Sequence, residues 1–129
     1  MNQTKTVPLF YKRKTADKKK EWRVCIQDPF ENCEKIYPIQ QKKVKQMINN
    51  IKEDTNVEKI VVFGSSVQDT CHMGSDVDFY VVLKQDQKIT FKETLSFIYD
   101  IWTNYTVDSR MYEEITKKGV TVYERNIAG

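Results

Sequence analysis

The chain has 129 residues, which is enough for one domain with a real core and too few for two full domains. Its 21 basic and 18 acidic residues leave a net charge of only +3, so charge alone does not indicate nonspecific nucleic-acid binding. Three cysteines without a CxxC spacing argue against a disulfide framework or a zinc ribbon, and no apolar run is long enough for a signal peptide or a membrane span. We therefore expect a cytoplasmic protein without a membrane segment.

Residues 1–37 are expected to form an N-terminal β-hairpin extension. The segments Val7–Arg13 and Glu21–Gln27 both have strand-like composition, and the polar linker Lys14–Lys20 separates them. The lysines of this linker are most simply a solvated hairpin tip that discourages edge pairing. RNA binding through this basic end is the less favoured alternative.

Residues 38–129 are expected to form the main domain. From Pro38 the pattern has a helical period, with apolar residues close to one stripe: Ile39, Val44, Met47, Ile48 and Ile51. Lys59–Phe63 and Val77–Leu83 are short apolar runs of the kind expected for buried strands. Helical spacing then predicts a helix over Ile89–Trp102 with four core residues: Phe91, Leu95, Ile98 and Trp102.

Two further strands are predicted in the C-terminal part. Tyr105–Met111 alternates between faces as a strand does, and a helical turn over Glu113–Lys117 ends at Gly119, a position that suits a glycine cap. Val120–Tyr123 is the last predicted strand. Together the elements indicate an α+β (α/β-like) fold, in which a mixed β-sheet is flanked by helices and preceded by the hairpin extension.

Gly64-Ser65 directly follows a predicted buried strand and opens a helical turn. Such a turn presents backbone N–H groups and little side-chain bulk, so it suits a phosphate, and we predict nucleotide binding by Gly64, Ser65 and Ser66. Taken alone, the same dipeptide is more often a plain strand-to-helix turn.

Asp76 and Asp78 are the predicted metal ligands. Residues two apart on a strand share a face, and two adjacent carboxylates repel each other unless a divalent cation binds or one proton is kept. Oxygen ligands favour Mg²⁺ or Mn²⁺.

A third carboxylate is expected where two ions act together. Asp108 is selected because it falls on the predicted third strand, whereas three other acids are predicted to lie in a loop or on the solvent side of a helix: Asp86, Glu93 and Asp100. His72, the single histidine, is predicted to be a surface loop residue.

These motifs resemble those of the DNA polymerase beta-like nucleotidyltransferase superfamily, and most closely those of its minimal members. The residues that carry the resemblance are Gly64-Ser65, then ten residues, then Asp76-Val77-Asp78, with a later strand carboxylate. The resemblance implies the nucleotidyltransferase fold, with Asp76 and Asp78 binding two Mg²⁺ (or Mn²⁺) ions and Asp108 completing the ion that activates the nucleophile. It further implies that ATP or another nucleoside triphosphate is the substrate.

The resemblance also implies a partner. Minimal members often pair with a HEPN-domain protein in toxin–antitoxin systems and can adenylylate that protein with ATP. We therefore expect transfer of a nucleoside monophosphate, with AMP favoured, to a hydroxyl on a HEPN-type partner protein.

The chain departs from the family pattern just after Gly64-Ser65. Ser66–Asp69 stand where the family commonly has basic residues and a glycine, so the phosphate-binding half is weaker than the metal-binding half. Two alternatives stay open: a catalytically inactive binding module or antitoxin that acts by contact with its partner, and a nucleotidyltransferase that modifies a small molecule such as an aminoglycoside.

Overall fold

One mixed four-stranded sheet organises residues 21–125, the part of the chain that the computed structural model describes. The strands are β1 (Val57–Phe63), β2 (Val77–Leu83), β3 (Tyr99–Thr103) and β4 (Val120–Glu124), and their order in the sheet is β3-β2-β1-β4. β1 pairs antiparallel with both β2 and β4, whereas β2 pairs parallel with β3. The predicted α+β class with a mixed sheet is confirmed.

Helix α1 (Pro38–Ile51) covers one face of the sheet. It has proline at its start, where a missing N–H costs nothing, and its apolar stripe is buried against both inner strands: Val44, Met47, Ile48 and Ile51. Ile39, on the same predicted stripe, is 36% exposed. The helix and its packing on the sheet are otherwise as predicted.

Helix α2 (Ser109–Lys118) lies on the opposite face. Its one buried residue, Ile115, packs in a small cluster with residues of β1 and β2: Val61, Phe63 and Tyr80. The sheet is therefore covered on both faces, as the predicted flanking helices require, and none of the helices within residues 21–125 is long and apolar enough to cross a membrane.

The predicted helix over Ile89–Trp102 is wrong. The chain is irregular from residue 84 to 98 and then forms β3. The side chain of Asn50 holds this irregular stretch, because its Oδ1 accepts from the N–H of Lys92 and of Glu93 while its Nδ2 donates to the carbonyl of Glu93. Backbone groups bonded in this way cannot form helical bonds, and the free edge of β2 accepts the β-prone residues that follow.

Burial along this stretch differs from the prediction accordingly. Phe91, Leu95 and Trp102 are only partly buried, and Ile98 is 73% exposed. The four residues therefore do not form one buried helical stripe.

The predicted strand over Tyr105–Met111 is also wrong. The N–H groups of Thr106 and Val107 both donate to the carbonyl of Thr103, which turns the chain immediately after β3. Asp108 then caps α2, which begins at Ser109 and contains the predicted helical turn Glu113–Lys117. The last strand, predicted over Val120–Tyr123, is confirmed.

The N-terminal extension is described only in part. Val7–Arg13 and Lys14–Lys20 lie outside the described residues, and Glu21–Gln27 forms no strand, so the strand predicted there is wrong and the rest of the hairpin stays a prediction. Instead, the buried side-chain amide of Gln41 binds this stretch, accepting from the N–H of Cys25 and donating to the carbonyl of Arg23. The boundary between residues 37 and 38 stays a prediction.

Gly119 joins α2 to β4 at a point where a side chain does not fit. Its backbone has φ −68°, which any residue can adopt, so it is not the left-handed cap that the sequence suggests. A Cβ here would lie 2.5 Å from the carbonyl oxygen of Ile115 and 2.7 Å from Val61 Cγ1. Glycine is needed because the helix end and the sheet approach each other closely.

Gly119→Ala should therefore destabilise the fold by about 1–3 kcal/mol, since the backbone of α2 must shift away from β1. Gly74→Ala is the matched control, because the nearest atoms to its added Cβ are 3.6 Å away on His72. Urea unfolding of both variants measures the difference. Equal stabilities would contradict the close packing described here.

Candidate functional site

Gly64 and Asp78 meet where strand β1 ends and strand β2 begins. The antiparallel register of β1 and β2 pairs Phe63 with Asp78, so the residue after β1 reaches the carboxylate near the start of β2. Gly64 has φ +79°, a conformation that favours glycine, and a Cβ there would lie 2.5 Å from Asp78 Oδ2. The two motifs are therefore in contact in the fold.

The chain after β1 forms the 3-10 turn Gly64–Val67. The first N–H groups of such a turn have no acceptor within it, so Gly64 and Ser65 can offer donors to an anion. Ser66 differs, because its side chain is fully buried and its Oγ accepts from Gln40 Nε2 at 3.1 Å. The Ser66 hydroxyl is thus held in the interior and is not placed to contact a phosphate.

The two aspartates of the DxD motif differ in exposure. Asp76 is exposed just before β2, whereas Asp78 is half-buried within the strand. Val77 and Phe79 are completely buried in the core on the other face, as the predicted alternation requires. The motif therefore directs its carboxylates away from the core that α1 covers.

Asp100 is the strand carboxylate beside Asp78. The parallel register of β2 and β3 pairs Asp78 with Asp100, and paired residues of neighbouring strands project from the same face. Asp100 was not expected to be a ligand only because a helix was predicted there. A signal for the strand was present in Tyr99–Thr103, a run rich in aromatic and β-branched residues with Asp100 inside it.

Asp108 does not occupy the predicted strand position. It is the N-cap of α2, and its Oδ1 accepts from the N–H of Met111 at 2.8 Å. The reason for selecting Asp108 as the third ligand is therefore removed, and Asp100 has the geometry that was expected of it.

Negative charge concentrates around Asp78. The pKa of Asp78 is raised from 3.8 to about 6, chiefly by burial and then by neighbouring carboxylates in this order: Asp100, Asp76 and Glu114. Burial and like charges both oppose ionisation, and a bound cation relieves the repulsion. This electrostatic environment suits a divalent cation.

The donor set also suits such an ion, because Asp78 and its neighbours Asp76 and Asp100 all offer carboxylate oxygens. Within residues 21–125, however, no three acidic, histidine or cysteine side chains already stand in a metal-binding arrangement. The carboxylates are thus neighbours rather than a preformed cage.

The loop between the two motifs folds on itself. His72 is exposed, its N–H donates to Ser75 Oγ, and its Nδ1 accepts from the N–H of Gly74 at 3.2 Å. His72 thus organises a surface loop, as predicted.

Comparison with known proteins gives one family. The family model described as "Polymerase beta, Nucleotidyltransferase" matches residues 45–128, about two thirds of the chain. The match includes both motifs and the strand that carries Asp100. No curated protein gave a significant match.

The charge on Asp78 should make the metal-free protein less stable at high pH. The folded chain keeps the Asp78 proton up to about pH 6, while an aspartate in the unfolded chain releases it near 3.8, so stability falls as pH rises through this interval. Asp78→Asn cannot ionise. In metal-free buffer we expect it to have a higher Tm than the native chain at pH 8 and a similar Tm at pH 4.

Differential scanning fluorimetry measures both values. Asp86→Asn, which removes an exposed carboxylate from the loop after β2, controls for the general effect of lost charge. A Tm for Asp78→Asn below that of the native chain at pH 8 would show that the carboxylate is not under electrostatic strain.

Proposed function

The chain belongs to the polymerase beta family of nucleotidyltransferases, and on this basis we propose that it is a metal-dependent enzyme that transfers a nucleoside monophosphate from a nucleoside triphosphate to a hydroxyl. The observation that carries the proposal is the contact between Gly64 and Asp78. It brings a turn suited to phosphate against carboxylates suited to a metal. Pyrophosphate is the second product.

Three side chains would hold the metal in this proposal: Asp76, Asp78 and Asp100. One or two Mg²⁺ or Mn²⁺ ions, when bound, would neutralise the triphosphate and lower the pKa of the attacking hydroxyl. Asp78 would be the central ligand, since the charges of the other two already act on it. Asp108 is replaced by Asp100 in this assignment.

Gly64 and Ser65 would hold the phosphates with backbone N–H groups. Residues 65–76 contain no lysine or arginine, so this loop has no strong positive charge of its own to offset a triphosphate. Backbone donors and the carboxylate-bound cation would have to supply the compensation together. ATP is the proposed donor, as the resemblance implied.

The proposed acceptor is a hydroxyl on a partner protein, with a HEPN-type toxin as the candidate. This acceptor follows from the resemblance to minimal members of the family. Incubating the purified chain with nucleoside triphosphates labelled at the α-phosphate, Mg²⁺ and cell extract identifies the molecule that becomes labelled. Label on a protein supports the assignment, and label on a small molecule favours the aminoglycoside type of reaction instead.

A second candidate function is binding without catalysis, as in an antitoxin that acts by contact. It is favoured by the missing basic residues after Ser65 and by the burial of the Ser66 hydroxyl. Thermal unfolding with ATP and Mg²⁺ separates the two functions, because a ligand that binds the native state raises its Tm. No shift would favour contact alone.

Replacement of the ligands should separate Asp100 from Asp108. We expect Asp78→Asn and Asp100→Asn each to lower nucleotide transfer by about 100-fold or more, because the bound ion contributes several kcal/mol to the transition state. Asp108→Asn should retain transfer, since asparagine caps a helix as well as aspartate does. Initial rates of label transfer give the comparison.

Circular dichroism of each variant controls for loss of fold. Retained transfer in Asp100→Asn together with loss in Asp108→Asn would restore the assignment made from the sequence and overturn the one made from the structure.

A further inference from the structure

Gln40 is a buried polar residue at the point where α1 meets the candidate site. It is the third residue of α1, and none of its surface is exposed. A glutamine in this position must satisfy both its nitrogen and its oxygen inside the protein. The hydrogen bonds of its side-chain amide therefore indicate its role.

The amide nitrogen of Gln40 connects the two halves of the site. It donates to Ser66 Oγ and to the carbonyl oxygen of Ser75, both at 3.1 Å. A carbonyl oxygen can only accept, so the contact with Ser75 fixes which end of the amide faces it. Ser66 belongs to the Gly64–Val67 turn, and Ser75 immediately precedes Asp76.

The start of α1 supports the turn a second time. The N–H of Tyr37 donates to the carbonyl of Ser66 at 2.8 Å, and the N–H of Gln40 donates to the carbonyl of Tyr37 at 2.9 Å. The turn is thus bound by both backbone and side chain of one helix end. A helix packed on the core gives this support rigidity.

The amide oxygen of Gln40 has no hydrogen-bond partner within the described part of the chain, although it is buried. The unpaired oxygen is unfavourable, whereas the nitrogen satisfies both Ser66 Oγ and the carbonyl of Ser75. The structural contribution of Gln40 therefore lies in the two bonds of its nitrogen, which join the two halves of the site.

We propose that Gln40 is a positioning residue, which holds the phosphate-binding turn and the Asp76–Asp78 segment at the spacing that a metal–nucleotide complex requires. The inference rests on the proposed function, because it concerns the same site. Gln40 acts through Ser66 and Ser75 and does not itself contact the substrate.

The neighbouring Gln41 supplies a matched control. It is equally buried, but its amide binds the stretch before α1, donating to the carbonyls of Arg23 and Ile36. Gln40→Met and Gln41→Met both replace a buried amide by a thioether of similar length. Only the first breaks a connection to the site.

The test measures stability by urea unfolding and affinity by isothermal titration calorimetry with α,β-methylene-ATP and Mg²⁺. We expect Gln40→Met to unfold at lower urea, since it leaves two acceptors unpaired, and, under conditions where it is folded, to bind the nucleotide analogue about 10-fold more weakly or worse. Gln41→Met should unfold at lower urea and keep the native affinity where it is folded. Binding of Mn²⁺ alone, measured by electron paramagnetic resonance, should change less in Gln40→Met than binding of the analogue.

Ser66→Ala provides a second variant, since it removes one of the two acceptors of Gln40 and should also weaken binding of the analogue. Native affinity in both Gln40→Met and Ser66→Ala would overturn the role of Gln40 and leave the proposed function standing. Equal loss of affinity in Gln41→Met would overturn it as well. Failure of the native chain to bind the analogue with Mg²⁺ would overturn both proposals.

Discussion

The antiparallel pairing of β1 with β2 places the end of one strand beside the beginning of the next. Its register joins Phe63 to Asp78, and the chain leaves β1 at Gly64 directly against that carboxylate. A side chain at residue 64 would collide with Asp78, and a shifted register would move the carboxylate to the other face. The contact between turn and carboxylate therefore depends on one strand pairing, and the other parts of the site are arranged around it.

The sequence allowed prediction of the parts that depend on local pattern. The apolar runs of β1 and β2, buried on both faces, and the stripe of α1 are strong signals, because a continuous hydrophobic run or a long helical period has few alternative structures. Gly64, Ser65, Asp76 and Asp78 were accessible for the same reason, since each lies at the border of such a run.

The errors lie where tertiary contacts compete with a weaker pattern. The spacing of the apolar residues Phe91, Leu95 and Ile98 is helical. The backbone N–H groups of Lys92 and Glu93, however, donate to the side chain of Asn50 and do not form helical bonds. No local pattern reveals a bond to a residue more than forty positions away. Because a helix was predicted where β3 lies, the next strand was expected after Asp100. Asp108 was therefore chosen as the third carboxylate in place of Asp100.

The two paired carboxylates, Asp78 and Asp100, lie on strands with different numbers of neighbours in the sheet. Among the strands of residues 21–125, β2 has a neighbour on each side, whereas β3 lies at the end of the strand order and is bonded to β2 alone. Asp78 consequently lies on a strand that is held from both sides, while Asp100 lies on a strand that is held from one side. In the proposed metal site, Asp78 would therefore be the more firmly held ligand and Asp100 the more adjustable one.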